Sequence, residues 1–136
     1  MALTSNSEDL LLDILNRAAE ERNLESKILQ LYSASTYFLL SKNFFPSNSD
    51  LPPFAEKLLY SLNQYRTKNS MKSIRFGDYV YKSRTVLVSR VIRIIEGSDK
   101  SQAEIIILEI SKFVNKASKK KKNSVDALLD RFGRTQ

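Results

Sequence analysis

The chain has 136 residues, a net charge of +7 at pH 7, no cysteine and no histidine. This length suits one domain with its own core, and the composition excludes disulfides, zinc sites built from Cys or His, thiol nucleophiles and catalytic triads that need imidazole. Because no catalytic signature, metal motif or phosphate loop is present either, we expect a non-enzymatic protein without a cofactor or a bound metal.

Two features bear on where the protein works. The N-terminal stretch around Glu8 and Asp9 is acidic before its apolar residues, unlike a secretory signal. No apolar run approaches the roughly 20 residues that span a bilayer. We therefore expect a cytoplasmic protein with no membrane association.

Charge is distributed unevenly along the chain. Residues 1–60 hold 5 basic and 8 acidic side chains, whereas residues 61–136 hold 17 and 7. Between Arg66 and Arg93, eight bases stand against one acid, Asp78. A one-sided positive field attracts polyanions, so this stretch predicts contact with nucleic acid. A basic face that is merely solvated is the alternative.

Apolar residues recur at helical intervals through the first half of the chain. Ser5 and Glu8 have the spacing of a capping box, which predicts a first helix over residues 7–22. The next stretch contains no Gly or Pro and predicts a second helix over residues 24–42. A third helix is predicted over residues 52–67, because its two leading prolines are tolerated in the first turn of a helix.

The region after the third helix can be interpreted in two ways. Residues 79–96 are rich in Val and Ile, which favour strands, but their spacing places most of the apolar residues on one helical arc. We predict a fourth helix there, and a β-hairpin over residues 74–88 is the alternative. Arg84 falls among the apolar positions of that helix, so it needs a partner, a position at the rim or a different local structure.

A second capping-box spacing predicts a fifth helix over residues 100–118. Ile105 and Leu108 lie off its core face, which indicates either deeper burial in the bundle or a surface for a partner chain. Glu104 and Glu109 lie too far apart around the helix to share a metal ion. Both are therefore predicted to be ordinary acids that face solvent.

The C-terminal part begins with four consecutive lysines, residues 119–122, which predict a mobile basic linker. An apolar stripe follows and ends at Gly133, which predicts a short amphipathic helix. A helix this short is marginal alone in water, so it docks either on its own bundle or in a groove of a larger partner. The predicted organisation is a helical domain over residues 1–118 and a linker with a docking segment over residues 119–136.

These elements predict an all-α protein, a bundle of about five helices. The leading hypothesis is a nucleic-acid-binding accessory subunit that contacts the phosphate backbone of DNA or RNA. The alternative is an adaptor that docks on a larger protein, and a homo-oligomer is compatible with both. The residues predicted to bind nucleic acid are Arg66, Lys68, Lys72, Arg75, Tyr79, Lys82, Arg90, Arg93, Lys119, Lys120, Lys121 and Lys122. The residues predicted to bind a partner are Ile105, Leu108, Val125, Leu128, Leu129 and Phe132.

Overall fold

The computed structural model describes the backbone of residues 3–133 and the side chains of residues 8–117. Within that range the chain is all-helical, as the sequence predicts, and it forms no strand. Six α-helices follow one another there: α1 (Leu3–Glu20), α2 (Leu24–Leu40), α3 (Leu51–Lys68), α4 (Asp78–Tyr81), α5 (Arg84–Glu96) and α6 (Lys100–Gly133). A single 3₁₀ turn, Asn48–Asp50, leads into α3.

The core lies where α1, α2 and α3 pack against α6, with α5 packed on α2. Each of the five longer helices contributes an apolar face to it. The wholly buried residues Leu15, Leu31, Leu62, Ile95 and Ile106 come from α1, α2, α3, α5 and α6 in turn. Burying a side chain of this size stabilises the fold by about 1.5–3 kcal/mol, so the five helices form one cooperative unit.

Phenylalanines hold the connection between α2 and α3 in place. Phe44 and Phe45 of this connection, Phe38 of α2, Phe54 of α3 and Phe113 of α6 form a cluster with ring centroids 4.9–5.8 Å apart. Several of these pairs meet edge to face, an arrangement that aromatic rings favour. The connection is therefore anchored in the core although it has little regular structure.

The predicted fourth helix is divided into α4 and α5. Ser83 has an extended backbone, with φ −128° and ψ 122°, and its hydroxyl accepts a hydrogen bond from the Val86 N–H at 3.3 Å. Ser83 therefore caps a new helix, which periodicity alone did not indicate. Arg84 is the first residue of α5 and donates from Nη2 to the Phe45 carbonyl oxygen. Residues 74–88 form no strand, so the hairpin alternative is wrong.

The C-terminal part differs from the prediction in its backbone. α6 continues from Lys100 to Gly133 without a break at residues 119–122. Lysine has a high helix propensity and no Gly or Pro interrupts the stretch, so charge alone does not end the helix. Its 34 residues correspond to a length of about 50 Å. The side chains predicted to act there, namely Lys119, Lys120, Lys121, Lys122, Val125, Leu128, Leu129 and Phe132, lie outside the described residues.

Candidate nucleic-acid interface

The loop that carries Lys72 and Arg75 begins with a sharp turn at the end of α3. Ser70 lies in the left-handed region, with φ 58°. The Met71 N–H donates to the Arg66 carbonyl at 2.8 Å, and the Ser70 N–H donates to the Thr67 carbonyl at 3.4 Å. This is the hydrogen-bond pattern of a Schellman motif, and it ends α3.

Two side chains of α3 then hold the loop. The Asn63 amide nitrogen donates to the Ile74 carbonyl at 2.9 Å, and its amide oxygen accepts from the Ile74 N–H at 2.8 Å. Arg66 donates from Nε to the Lys72 carbonyl at 2.6 Å and from Nη1 to Gln102 Oε1 of α6 at 2.8 Å. The loop is therefore fixed to α3 and α6, although residues 71–77 have no regular secondary structure.

Arg66 differs from the other predicted nucleic-acid contacts. Its guanidinium is half-buried, and it uses Nε and Nη1 to hold the loop and α6. Donors committed in this way are not available to a phosphate without breaking those bonds. Arg66 is thus a residue that positions the loop.

Two of the predicted residues are in direct contact. Arg90 Nη2 on α5 donates to the Tyr79 hydroxyl on α4 at 3.0 Å. The Tyr79 side chain is exposed, and its ring lies over Gly77, where an added Cβ atom would come within 2.9 Å of Tyr79 Cε1. Glycine at this position gives the ring room, and the bond from Arg90 fixes its outer end.

The other predicted cations of this stretch share two properties. They are exposed, and none forms an ion pair with another described residue. They are Lys68, Lys72, Arg75, Lys82 and Arg93. Arg93 stands apart from the loop, because it lines a groove between α5 and α2.

Arg75 borders a cavity of about 300 Å³ between α3 and the loop. Glu56, Tyr60 and Tyr81 also line it. Burial, followed by the charge of the Glu56 carboxylate, raises the pKa of the Tyr81 hydroxyl above its ordinary value of about 10. Tyr81 therefore stays neutral at physiological pH, and Arg75 is a cation at the edge of this cavity.

Two buried charged residues were not identified from the sequence. Lys27 is wholly buried, and its ammonium donates to the carbonyls of Ala18 at 3.0 Å and Ala19 at 3.2 Å, at the end of α1. It also lies 3.7 Å from a Glu104 carboxylate oxygen. The spacing of Lys27 from the buried Leu31 places it on the core face of α2, which is the signal that could have identified it.

Glu109 corrects a second expectation. The sequence predicts that it faces solvent, but Glu109 is 6% exposed and accepts a hydrogen bond from the Ser61 hydroxyl at 2.8 Å. The Lys112 ammonium lies 4.0 Å from the same carboxylate. Packing of α3 against α6 thus covers a helix position that appeared polar.

A second basic feature lies between α3 and α6. A groove of about 400 Å³ has Phe54 and Phe113 among its lining residues, together with Lys57, Lys112 and Lys116. These lysines are widely separated in the sequence, so a search for basic stretches does not group them.

The two residues of α6 that were predicted to bind a partner lie in different environments. Ile105 is half-buried and packs against the core. Leu108 is exposed. Only Leu108 of this pair presents a large apolar surface to solvent.

Within the described part of the chain, no cluster of His, Cys, Asp or Glu is arranged to hold a metal ion. No helix in that part is both long and apolar enough to cross a membrane. Comparisons of the chain with models of protein families, with curated proteins and with solved structures give no match.

Proposed function

We propose that this protein is a non-enzymatic accessory subunit that binds nucleic acid through its phosphate backbone. The contacts are made chiefly by Lys68, Lys72, Arg75 and Lys82. The observation that carries the proposal is the combination of a fixed loop with exposed cations that form no ion pair with a described acid.

The fixed loop matters for affinity. Ordering a flexible loop on binding costs free energy, and a loop already held by Asn63 and Arg66 avoids much of that cost. The exposed cations displace counterions from the phosphates, which favours binding without recognition of sequence. Tyr79 is exposed and held by Arg90, so it offers one stacking surface for an unpaired base.

The test is fluorescence anisotropy of labelled single-stranded RNA, single-stranded DNA and duplex DNA, titrated with the protein across a series of salt concentrations. The native chain should bind with log affinity that falls linearly against log salt concentration. The triple variant Lys72→Glu, Arg75→Glu and Lys82→Glu should bind at least about tenfold more weakly, and its salt slope should be smaller by about 2–3.

The matched control carries the same change in net charge at a different place. Arg22→Glu, Lys57→Glu and Lys116→Glu alter three exposed cations outside the proposed surface. This variant should keep most of the affinity. If both triple variants lose affinity equally, binding depends on net charge and the proposed surface is wrong.

The exposure of Leu108 and the extension of α6 to Gly133 favour the adaptor as a second candidate function. The sequence predicts an apolar stripe of Val125, Leu128, Leu129 and Phe132 in this part of the chain. An apolar face of this kind suits docking in the groove of a larger protein. The Leu128→Ala and Phe132→Ala double variant should keep its affinity for polynucleotides, because it changes no charge; a loss of that affinity would contradict the division into two surfaces.

A further inference from the structure

The outward face of α2 is uncharged and carries four large, exposed side chains around two small hydroxyl residues, Ser33 and Thr36. Between Lys27 and Lys42 the chain contains no charged residue, and Lys27 itself is buried. The large side chains of this face, Leu29, Tyr32, Tyr37 and Leu40, are between 39% and 67% exposed. A contiguous apolar face on a surface helix is typical of an interaction site.

The small hydroxyl side chains of this face are already hydrogen-bonded. The Ser33 hydroxyl donates to the Leu29 carbonyl at 3.1 Å, and the Thr36 hydroxyl donates to the Tyr32 carbonyl at 2.8 Å. On the adjoining α5, the Ser89 hydroxyl donates to the Val86 carbonyl at 2.8 Å. Covering the face therefore leaves none of these hydroxyl donors unpaired, which removes a large cost of burial.

The spacing along this face is that of a helix–helix contact. Leu29, Ser33, Thr36 and Leu40 are separated by four, three and four residues, the spacing of a coiled-coil seam, and they lie within an arc of about 60°. Small residues at the centre of such a seam let two helix axes approach closely, and large residues fill the space at its ends.

The order of side-chain sizes along the seam reads the same in both directions. A second copy of α2 laid antiparallel across it places Leu29 opposite the partner's Leu40 and Ser33 opposite the partner's Thr36. Two-fold contacts require a surface that is complementary to itself in this way. The seam thus fits a second copy of the chain.

The lack of charge on this face allows a second copy to approach in spite of the net charge. Two copies of a protein with a net charge of +7 repel one another, and α2 offers a face on which no like charges meet. The antiparallel arrangement also places Glu25, in the first turn of α2, at the C-terminal end of the partner's α2, which Lys42 follows, and it opposes the two helix dipoles. The neighbouring edge of α5 carries Arg93 and Glu96, one charge of each sign.

The groove between α2 and α5 adds a concave border to this face. Its volume is about 410 Å³, and Tyr32, Leu40, Val88 and Ile92 contribute to its lining. When two copies of α2 pack antiparallel about a two-fold axis, the edge of α2 that borders this groove lies beside the same edge of the partner's α2. The partner's Tyr32 therefore lies along this groove, where its ring buries apolar surface.

We propose that this protein forms a two-fold symmetric dimer in which α2 packs antiparallel on α2 of a second copy. The dimer uses α2 and the adjoining edge of α5, whereas the nucleic-acid proposal uses the loop after α3. Failure of one proposal would therefore not contradict the other.

Sedimentation equilibrium of the full chain from about 1 to about 100 μM tests the association, since weak interfaces form in this range. The native chain should dimerise. The Leu29→Lys and Leu40→Lys double variant should remain monomeric, because it places like charges opposite each other. The control is Leu10→Lys with Leu108→Lys, which changes leucines that are 61% and 53% exposed outside this face, and it should dimerise like the native chain.

Disulfide trapping tests the orientation, because the chain has no native cysteine. A mixture of the Leu29→Cys and Leu40→Cys variants should form a crosslinked heterodimer. Neither variant should crosslink to itself, since its two cysteines would lie about 16 Å apart along the antiparallel helices. Self-crosslinking of Leu29→Cys would indicate parallel helices and overturn the arrangement. A native chain that stays monomeric at the highest concentration overturns the dimer.

Discussion

α2 and the basic stretch from Arg66 to Arg93 use charged and apolar residues in opposite ways. The one lysine of α2, Lys27, is buried, while its leucines and tyrosines include several that face solvent. In the basic stretch most cations are exposed, and apolar residues such as Val80 and Leu87 are buried. Water solvates the second surface well and the first poorly. This difference in solvation is the reason why we propose different partners for the two surfaces, a polyanion for one and an apolar protein face for the other.

The largest change in the free energy of unfolding is expected at Lys27, which tests the difference between the two regions most directly. Lys27→Ala should lower the free energy of unfolding by about 2–5 kcal/mol, because it leaves a cavity and removes the cap on α1. Lys27→Met keeps the apolar stem and should cost less, about 1–3 kcal/mol for the carbonyls left unpaired. Urea denaturation followed by circular dichroism measures both values.

The matched exposed lysine is Lys72. Lys72→Ala should change the free energy of unfolding by no more than about 0.5 kcal/mol, as is usual for surface positions. Equal losses for Lys27→Ala and Lys72→Ala would mean that Lys27 is not held inside the fold. A buried lysine would then no longer distinguish α2 from the basic stretch.

Within the basic stretch, Arg66 tests the difference between a cation that stabilises the fold and a cation that is exposed to solvent. Arg66→Ala should lower the free energy of unfolding by about 1–2 kcal/mol, since it removes the bonds to the Lys72 carbonyl and to Gln102 and is only partly screened by solvent. Arg75→Ala, at an exposed position with no ion pair to a described residue, should leave stability nearly unchanged.

The proposed binding of nucleic acid provides a second test that separates these two arginines. Arg75→Ala should reduce the salt slope by about 1, as expected for the loss of one phosphate contact. Arg66→Ala should weaken binding mainly by releasing the loop, so hydrogen exchange at the amides of residues 71–74 should become faster. Unchanged exchange in the Arg66 variant would show that this side chain does not hold the loop.

The sequence predicts some of these features and misses others for physical reasons. Apolar periodicity identifies the long helices and their core faces, because burial on one side of a helix leaves a regular pattern. The burial of Lys27 and Glu109 depends on which helix lies opposite, and the pattern within one helix does not contain that information. The division at Ser83 was missed because a serine cap resembles any other polar position until the preceding turn is known.

The sequence also does not indicate the individual roles of the cations. Arg66 and Arg75 appear equivalent in a count of charges, yet one bonds Gln102 of α6 and the other faces solvent. Such differences arise from contacts between residues far apart in the chain. Composition therefore predicts that a basic surface exists, while the fold decides which of its cations can meet a phosphate.

A small gain in stability is predicted at the turn that presents the basic loop. Ser70→Gly should raise the free energy of unfolding by about 0.5–1 kcal/mol, because glycine adopts the left-handed conformation at this position without steric cost. Ser73→Gly is the control, since the backbone at Ser73 does not have positive φ, and it should lower stability by up to about 1 kcal/mol through added freedom of the unfolded chain. Thermal unfolding measures the change in the free energy of unfolding for both variants. Changes of opposite sign would support the left-handed turn at Ser70, and changes of the same sign would contradict it.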